Sequence, residues 1–275
     1  MTLRRTIVIS DVHGCLDELQ ALLKACSYSP DDDLLVFVGD LLDKGPKPHE
    51  TVRYVRQLRH VVLVLGNHED KHIRYRGHER RREKSGKSNP RLDRHGELAA
   101  FYAAADDEDY AFLNQAVVAY TMTEHNHVVV HAGIPPRLKA LPPEGRPWSS
   151  FTKSDKKKWG GLKWARCVDA RGNLIGVYDT QLHHRFWCED YDGRFGTVIY
   201  GHLHRVTEDG SFIETEHARG IDTGCVYGGR LTGLVFSNHE SCIGQPIVVQ
   251  VDGSPYADDH AEYLAEARKT TPPFP

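Results

Sequence analysis

No stretch of this chain approaches the roughly 18 consecutive apolar residues that a membrane-spanning helix requires. The first apolar run follows Arg4-Arg5 and is broken at Asp11, which leaves no secretory leader to read. Neither sign of charge dominates: 35 Lys and Arg stand against 38 Asp and Glu, a formal net charge of −3. A chain so balanced has no global attraction for nucleic acid or an anionic membrane, so a charged partner must meet a local patch. Cysteine is sparse. Cys15, Cys26, Cys167, Cys188, Cys225 and Cys242 form no Cys-x-x-Cys pair and no dense framework, the pattern of reduced thiols in a cytoplasmic protein. Cys15, directly after His13-Gly14, reads first as a small buried packing residue. There is no internal repeat and no phosphate-binding P-loop. Arg81 occupies the position of that motif's first Gly ahead of Gly86-Lys87-Ser88.

What the chain has instead is a set of short apolar stretches that each run out into a residue able to hold a metal. Thr6 to Ser10 leads into Asp11-Val12-His13-Gly14, and Leu34 to Val38 into Gly39-Asp40 and on to Asp43-Lys44-Gly45-Pro46. Val61 to Leu65 leads into Gly66-Asn67-His68-Glu69, His127 to Val130 into His131-Ala132-Gly133, and Thr197 to Tyr200 into Gly201-His202-Leu203-His204. β-Branched runs bounded by Gly read as buried strands, and open α/β sheets bind ligands outside the carboxyl ends of their strands. A lone Asp-x-His is common in proteins, but five such strand ends in one chain are not a chance pattern.

The donor types say what such a site is for. Carboxylates, an amide carbonyl and imidazoles without thiolate make a mixed oxygen and nitrogen shell that suits Mn, Fe, Zn, Co or Ni. A carboxylate in the middle of the set, such as Asp40, can bridge two ions about 3.5 to 4 Å apart, the arrangement that clamps a phosphate and makes hydroxide available near neutral pH. These residues point to hydrolysis of a phosphate ester or anhydride.

In this order, Asp11-x-His13-Gly14, Gly39-Asp40-x-x-Asp43-Lys44-Gly45, Gly66-Asn67-His68-Glu69, His131-Ala132-Gly133 and Gly201-His202 resemble the signature of calcineurin-like metallophosphoesterases of the phosphoprotein phosphatase branch. Ile9 to Cys15, Gly45-Pro46-Lys47, His131 to Ile134 and Gly220-Ile221-Asp222-Thr223-Gly224-Cys225-Val226-Tyr227-Gly228-Gly229 are similar to the ApaH-like and PrpE-type bis(5'-nucleosyl)-tetraphosphatases within that branch. The likeness covers roughly Thr6 to Phe236.

The resemblance implies an α/β fold of two packed mixed β-sheets flanked by helices, and two divalent transition-metal ions, Mn first among them. It implies Asp11 and His13 as ligands of the first ion, Asp40 as the bridge, and Asn67, His131 and His202 as ligands of the second. His204, as the second imidazole of a Gly-His-x-His, would complete the first ion's shell. A metal-bridging hydroxide would attack phosphorus in line, Lys44 would bind phosphate, and His68, oriented by Asp43, would protonate the leaving oxygen. A carboxylate that fixes an imidazole also raises its pKa and keeps it a usable acid near pH 7. Lys44 stands where protein phosphatases of the family carry Arg, and it lacks the planar fork that grips two phosphate oxygens. The resemblance therefore favours a dinucleoside polyphosphate as substrate, with other pyrophosphate-linked nucleotides close behind, a phosphoprotein as the rival and a broader phosphodiesterase role kept open by His204. A nucleic-acid-binding scaffold built on the same fold is the reading from outside enzymology.

Each residue also has an ordinary reading. His49, His60, His72, His125, His183, His184 and His239 read as surface or satisfied core histidines. Asp43 can be a turn residue and cap ahead of Pro46, and Asp222 can either bond its own backbone or support His202. Glu69 reads as a cap or an orienting residue. Arg74, Arg76, Arg80, Arg81, Arg82, Lys84, Lys87, Arg91 and Arg94 crowd one stretch. There Arg80, Arg81 and Arg82 are candidates to hold distal phosphates, or members of a charged helix paired with Glu79, Glu83 and Asp93. Lys153, Lys156, Lys157 and Lys158 stand beside Trp148, Phe151, Trp159 and Trp164, a group able to stack a base or to pack inward as a lid, with Trp187 and Tyr191 in the same wall.

Leu16, Leu19, Leu22, Leu23 and Cys26 fall at helical spacing after the first ligand pair, and Val52, Val55 and Leu58 after the second, a parallel βαβ start. The expected organisation is one domain over 1–252 with insertions at about 74–115 and 135–190, then a short helix and tail over 253–275.

Overall fold

Strand β1 (Arg5–Ile9) is buried on both faces, which is why it reads as a continuous apolar run instead of an alternating one. The computed structural model to which it belongs describes residues 3–86, 88–90, 96–175, 185–207, 209–239 and 245–257. Lys87, Arg91, Asp93, Arg94, His183, His184, Cys242 and the helix and tail expected near the end of the chain lie outside the described residues.

Helix α1 (Leu16–Ala25) carries the chain from β1 to β2 (Asp33–Phe37), and α2 (Pro48–Gln57) from β2 to β3 (Val61–Leu63). The three strands are parallel, as the βαβ spacing predicts. α3 (Asn67–Ser85) starts on the ligand motif after β3 and ends at Gly86, whose φ of 69° a glycine adopts without strain. α4 (Glu97–Ala104) and α5 (Asp107–Asn114) follow, then β4 (Tyr120–Met122) and β5 (His127–Val129). Beyond β5 come α6 (Lys153–Trp159) and a small sheet of β6 (Cys167–Val168), β7 (Leu174–Ile175) and β8 (Arg185–Phe186). β9 (Thr197–Tyr200), β10 (Ile213–Thr215), β11 (Ala218–Gly220), β12 (Arg230–Ser237) and β13 (Ile247–Asp252) complete the described elements.

Two mixed five-stranded sheets result, in the orders β13-β12-β1-β2-β3 and β10-β11-β9-β5-β4. Their period-2 geometry sorts the side chains. Val8, Val36, Leu234 and Phe236 of one sheet join Met122, Val129 and Ile199 of the other in a single buried cluster between the sheets. The chain neighbours Ile7, Ile9, Leu35 and Phe37 point the other way and pack with Leu19, Leu22, Leu23, Val52 and Val55 of α1 and α2. Each such side chain contributes about 1.5–3 kcal/mol when fully buried. The sandwich thereby fixes the carboxyl ends of β1, β2, β3, β5 and β9, where the five motifs sit. Among the described residues, no helix is long and apolar enough to cross a membrane.

Candidate metal centre

The loops that leave these strand ends are strained. His13, Asp40, Asp43, Lys44 and His202 all have positive φ, five of the eight non-glycine residues with that conformation among those described. Strain of this kind collects where a fold must aim side chains at a common point. The glycines of the motifs follow from the same crowding. A Cβ on Gly66 would lie 2.1 Å from Asp40 Oδ1, and one on Gly201 1.8 Å from Asp11 Oδ1.

Two groups of potential ligand atoms gather, each with all its atoms within 4.8 Å: His13, Asp40 and His68, and Asp40, His131 and His202. Asp40 belongs to both. His131 Nε2 is 2.9 Å from Asn67 Oδ1, 3.2 Å from His202 Nδ1 and 3.4 Å from Asp40 Oδ2. His13 Nε2 is 3.6 Å from Asp40 Oδ2. Backbone carbonyls set both rings: His13 Nδ1 donates to Leu42 at 2.8 Å and His131 Nδ1 to Val38 at 3.0 Å, leaving each Nε2 aimed inward. Asp11 lies alongside. One of its oxygens accepts the His202 backbone N–H at 2.9 Å, and the other is buried with no hydrogen-bond partner among the described residues.

Divalent ions fit this donor set. It offers oxygen and nitrogen donors, an orphaned carboxylate oxygen and imidazole nitrogens against which cations already stand. Lys44 Nζ lies 3.0 Å from His13 Nε2, and Arg166 Nε donates to His202 Nε2 at 2.8 Å. An ion on His202 Nδ1 requires the ring proton on Nε2, so it and the Arg166 contact exclude each other. Burial and then the charge of Asp222 push the Asp11 carboxyl well above the usual range. Burial acts the same way on Asp40, but His131 and His68 outweigh it and hold that carboxyl well below its ordinary value. Burial opposes protonation of His131, yet its charge interaction and hydrogen bond with Asp40 carry it up to about 9.

Beside these groups His68 Nδ1 contacts Asp43 Oδ2 at 2.6 Å, and the other Asp43 oxygen meets His72 Nε2 at 2.5 Å. Burial would raise the Asp43 carboxyl, but the hydrogen bonds to the two imidazoles overcome it and hold it far below the carboxylate range. Glu69 is fully buried and acts as a backbone clamp. Its carboxylate accepts the N–H groups of Asp40 and Gly66 at 2.9 Å and of Leu41 at 2.7 Å.

Other residues singled out in the sequence stand apart from the two groups. His204 stacks on Tyr227 with ring centroids 5.5 Å apart. Asp222 Oδ1 accepts the Gly224 N–H at 3.1 Å, the local turn bond its surroundings suggest. Arg80 lies 13 residues after Asn67 on α3, about 20 Å along the axis. Arg80 pairs with Asp107, Arg81 with His78 and Arg82 with Glu79, the charged-helix alternative. Trp148, Phe151, Trp159, Trp187 and Tyr191 are buried, as an inward-packing lid requires. Arg166 and His72 were not among the candidates. His72 sits one helical turn after His68, a spacing that puts both on one face of α3, whereas Arg166 follows no strand-end motif.

The calcineurin-like phosphoesterase family model matches residues 4–206. A bis(5'-nucleosyl)-tetraphosphatase PrpE (asymmetrical) of Bacillus subtilis is 30% identical, the alignment covering 85% of this chain and 91% of that one. A symmetrical bis(5'-nucleosyl)-tetraphosphatase of a Marinomonas species is 28% identical over 83% of this chain and 92% of its own. A crystal structure described as a putative diadenosine tetraphosphatase superposes with a TM-score of 0.64 at 26% identity, covering 91% of this chain and 94% of that one. Sheet architecture, ligand geometry and sequence kinship agree: this chain is a metallophosphoesterase and belongs to the calcineurin-like phosphoesterase family.

Proposed function

We propose that this enzyme, acting as one domain over 1–252, hydrolyses dinucleoside polyphosphates at a dinuclear centre, in the cytoplasm. The observation that carries the reading is the membership of Asp40 in both ligand groups. Asp11, His13 and Asp40 would hold one divalent ion, and Asp40, Asn67, His131 and His202 the other, with Mn the favoured metal. His204 would join the first shell only on leaving its stack on Tyr227. Such ions, when bound, make hydroxide available near neutral pH and neutralise phosphate charge.

The chain's own residues do the rest. Lys44, with Nζ 5.2 Å from the Tyr227 ring centre, turns its ammonium to a non-bridging phosphate oxygen. His68 gives a proton to the leaving oxygen while Asp43 holds its Nδ1–H and so fixes which nitrogen faces the substrate. Relatives named as nucleosyl tetraphosphatases support the substrate class, and five buried free thiols among the described residues suit a reducing compartment.

The test is hydrolysis of diadenosine tetraphosphate with added Mn, Asp40→Asn in parallel, and products separated by chromatography. ATP plus AMP, lost in the variant, supports the asymmetric hydrolase, and paired ADP the symmetric one. No turnover there, with Mn-dependent phosphate release from a phosphopeptide, moves the substrate to phosphoproteins.

A further inference from the structure

Trp164 is out of keeping with the aromatic residues around it. Trp148, Phe151, Trp159 and Trp187 are 3–6 % exposed, whereas Trp164 is 49 % exposed. An indole so open adds little to the stability of the fold, since burial is where a large apolar side chain contributes most. Its place is specific. The Trp164 ring meets the His202 ring edge-on with centroids 6.2 Å apart, and Arg166, two residues on, donates to that same imidazole.

Trp164 also lines a cavity of about 270 Å³, close to the lower end of ligand-site volumes, roughly 300 Å³. Its wall is cationic and aromatic. Arg74, Lys156 and Lys163 bring three positive charges against the one carboxylate of Asp70. Asp70 is already engaged, by Lys163 at 3.0 Å, Arg74 at 3.3 Å and the indole N–H of Trp148 at 3.2 Å. Asp70 is three residues after Asn67 on α3, so the cavity begins one helical turn from the metal centre.

Building on the dinucleoside polyphosphate assignment, we infer that Trp164 is the stacking platform for a nucleobase of the substrate. The surplus positive charge of the adjoining cavity meets the phosphates attached to it. A π-face accepts any base, so the platform selects for an aromatic base and not for one base over another.

AMP and ribose 5-phosphate differ only by the base, so calorimetric titration of the full chain with each, in the presence of Mn, isolates the stack. The wild-type protein is expected to bind AMP about tenfold more tightly than ribose 5-phosphate. Trp164→Ala should bring the two to equal affinity, and Trp164→Phe should keep most of the preference. Equal binding by the wild type, or a preference that survives Trp164→Ala, overturns the platform. Turnover of diadenosine tetraphosphate without any AMP preference would remove the platform and leave the hydrolase standing. A Trp164-dependent AMP preference without that turnover would do the reverse.

Discussion

Glu69 holds Asp40 by the backbone and not by the side chain: Oε2 accepts the Asp40 N–H at 2.9 Å, leaving the Asp40 carboxylate to the two ligand groups. The same carboxylate takes the Gly66 and Leu41 N–H groups, so one buried residue ties the loop after β2 to the start of α3. Glu69→Gln keeps the shape but turns an amide NH₂ toward backbone donors. The expected outcome is a loss of about 1–3 kcal/mol in stability and a ten- to hundredfold weaker Mn affinity. Thermal melting and calorimetric Mn titration check it, and an unchanged Mn affinity would refute the clamp.

His72 acts at the opposite end of the same network. Its Nδ1 is buried without a partner among the described residues, so the ring proton sits on Nε2 and is donated to Asp43 Oδ1. That bond occupies one Asp43 oxygen, and the other meets His68 Nδ1 at 2.6 Å and Lys71 Nζ at 3.4 Å. His72→Phe preserves the edge-on packing against Phe101 and removes the donor. The prediction is a kcat lowered about tenfold with KM little changed, a part of the 10²–10⁴-fold that a positioned acid supplies. A KM effect alone would show that His72 does not act through the acid.

How far all this was legible in the sequence follows from where each residue sits. The strand-end motifs were readable because a ligand directly follows a buried apolar run, and Gly66 and Gly201 stand where a side chain would strike Asp40 or Asp11. The two sheets were readable from runs such as Ile7 to Ile9, apolar on both faces. What escaped depends on pairing across the fold. Arg76 and Arg80 meet Asp107 from a different helix, and nothing local in the basic stretch announces that partner. Trp164 is open while Trp159, five residues earlier, is closed, because the first faces the metal centre and the second sends its indole N–H to the Ala140 carbonyl.

Arg166 competes with a metal ion for the state of His202. Its Nε–H donates to His202 Nε2, which favours the tautomer whose proton is on Nδ1, the nitrogen facing His131. Arg166→Met removes that bias and one positive charge. Mn should bind severalfold more tightly to the variant in a calorimetric titration without substrate. Weaker Mn binding in the variant would mean that Arg166 orients His202 for the ion instead of opposing it.

Proton and metal also compete at His131. Its Nδ1 faces Val38 O at 3.0 Å, and its Nε2 faces Asn67 Oδ1 at 2.9 Å and Asp40 Oδ2 at 3.4 Å as well as His202 Nδ1 at 3.2 Å, so a proton on His131 Nε2 has oxygens to bind and competes with the one that Arg166 favours on His202 Nδ1. The His131 pKa of about 9 lies above the ordinary value of 6.5, Asp40 outweighing the opposing effect of burial. A histidine raised on folding stabilises the protein fully below about pH 6.5 and loses that contribution as pH climbs to about 9. Melting of the chelator-treated protein should therefore fall across pH 6.5 to 9, and His131→Asn should flatten the slope. Mn must displace the proton, so the affinity of the site that contains His131 should rise with pH over the same interval, and filling that site should release about one proton from His131 near pH 7.5. Calorimetry in buffers of different ionisation enthalpy counts that proton, and a count of zero would place His131 neutral before the ion arrives.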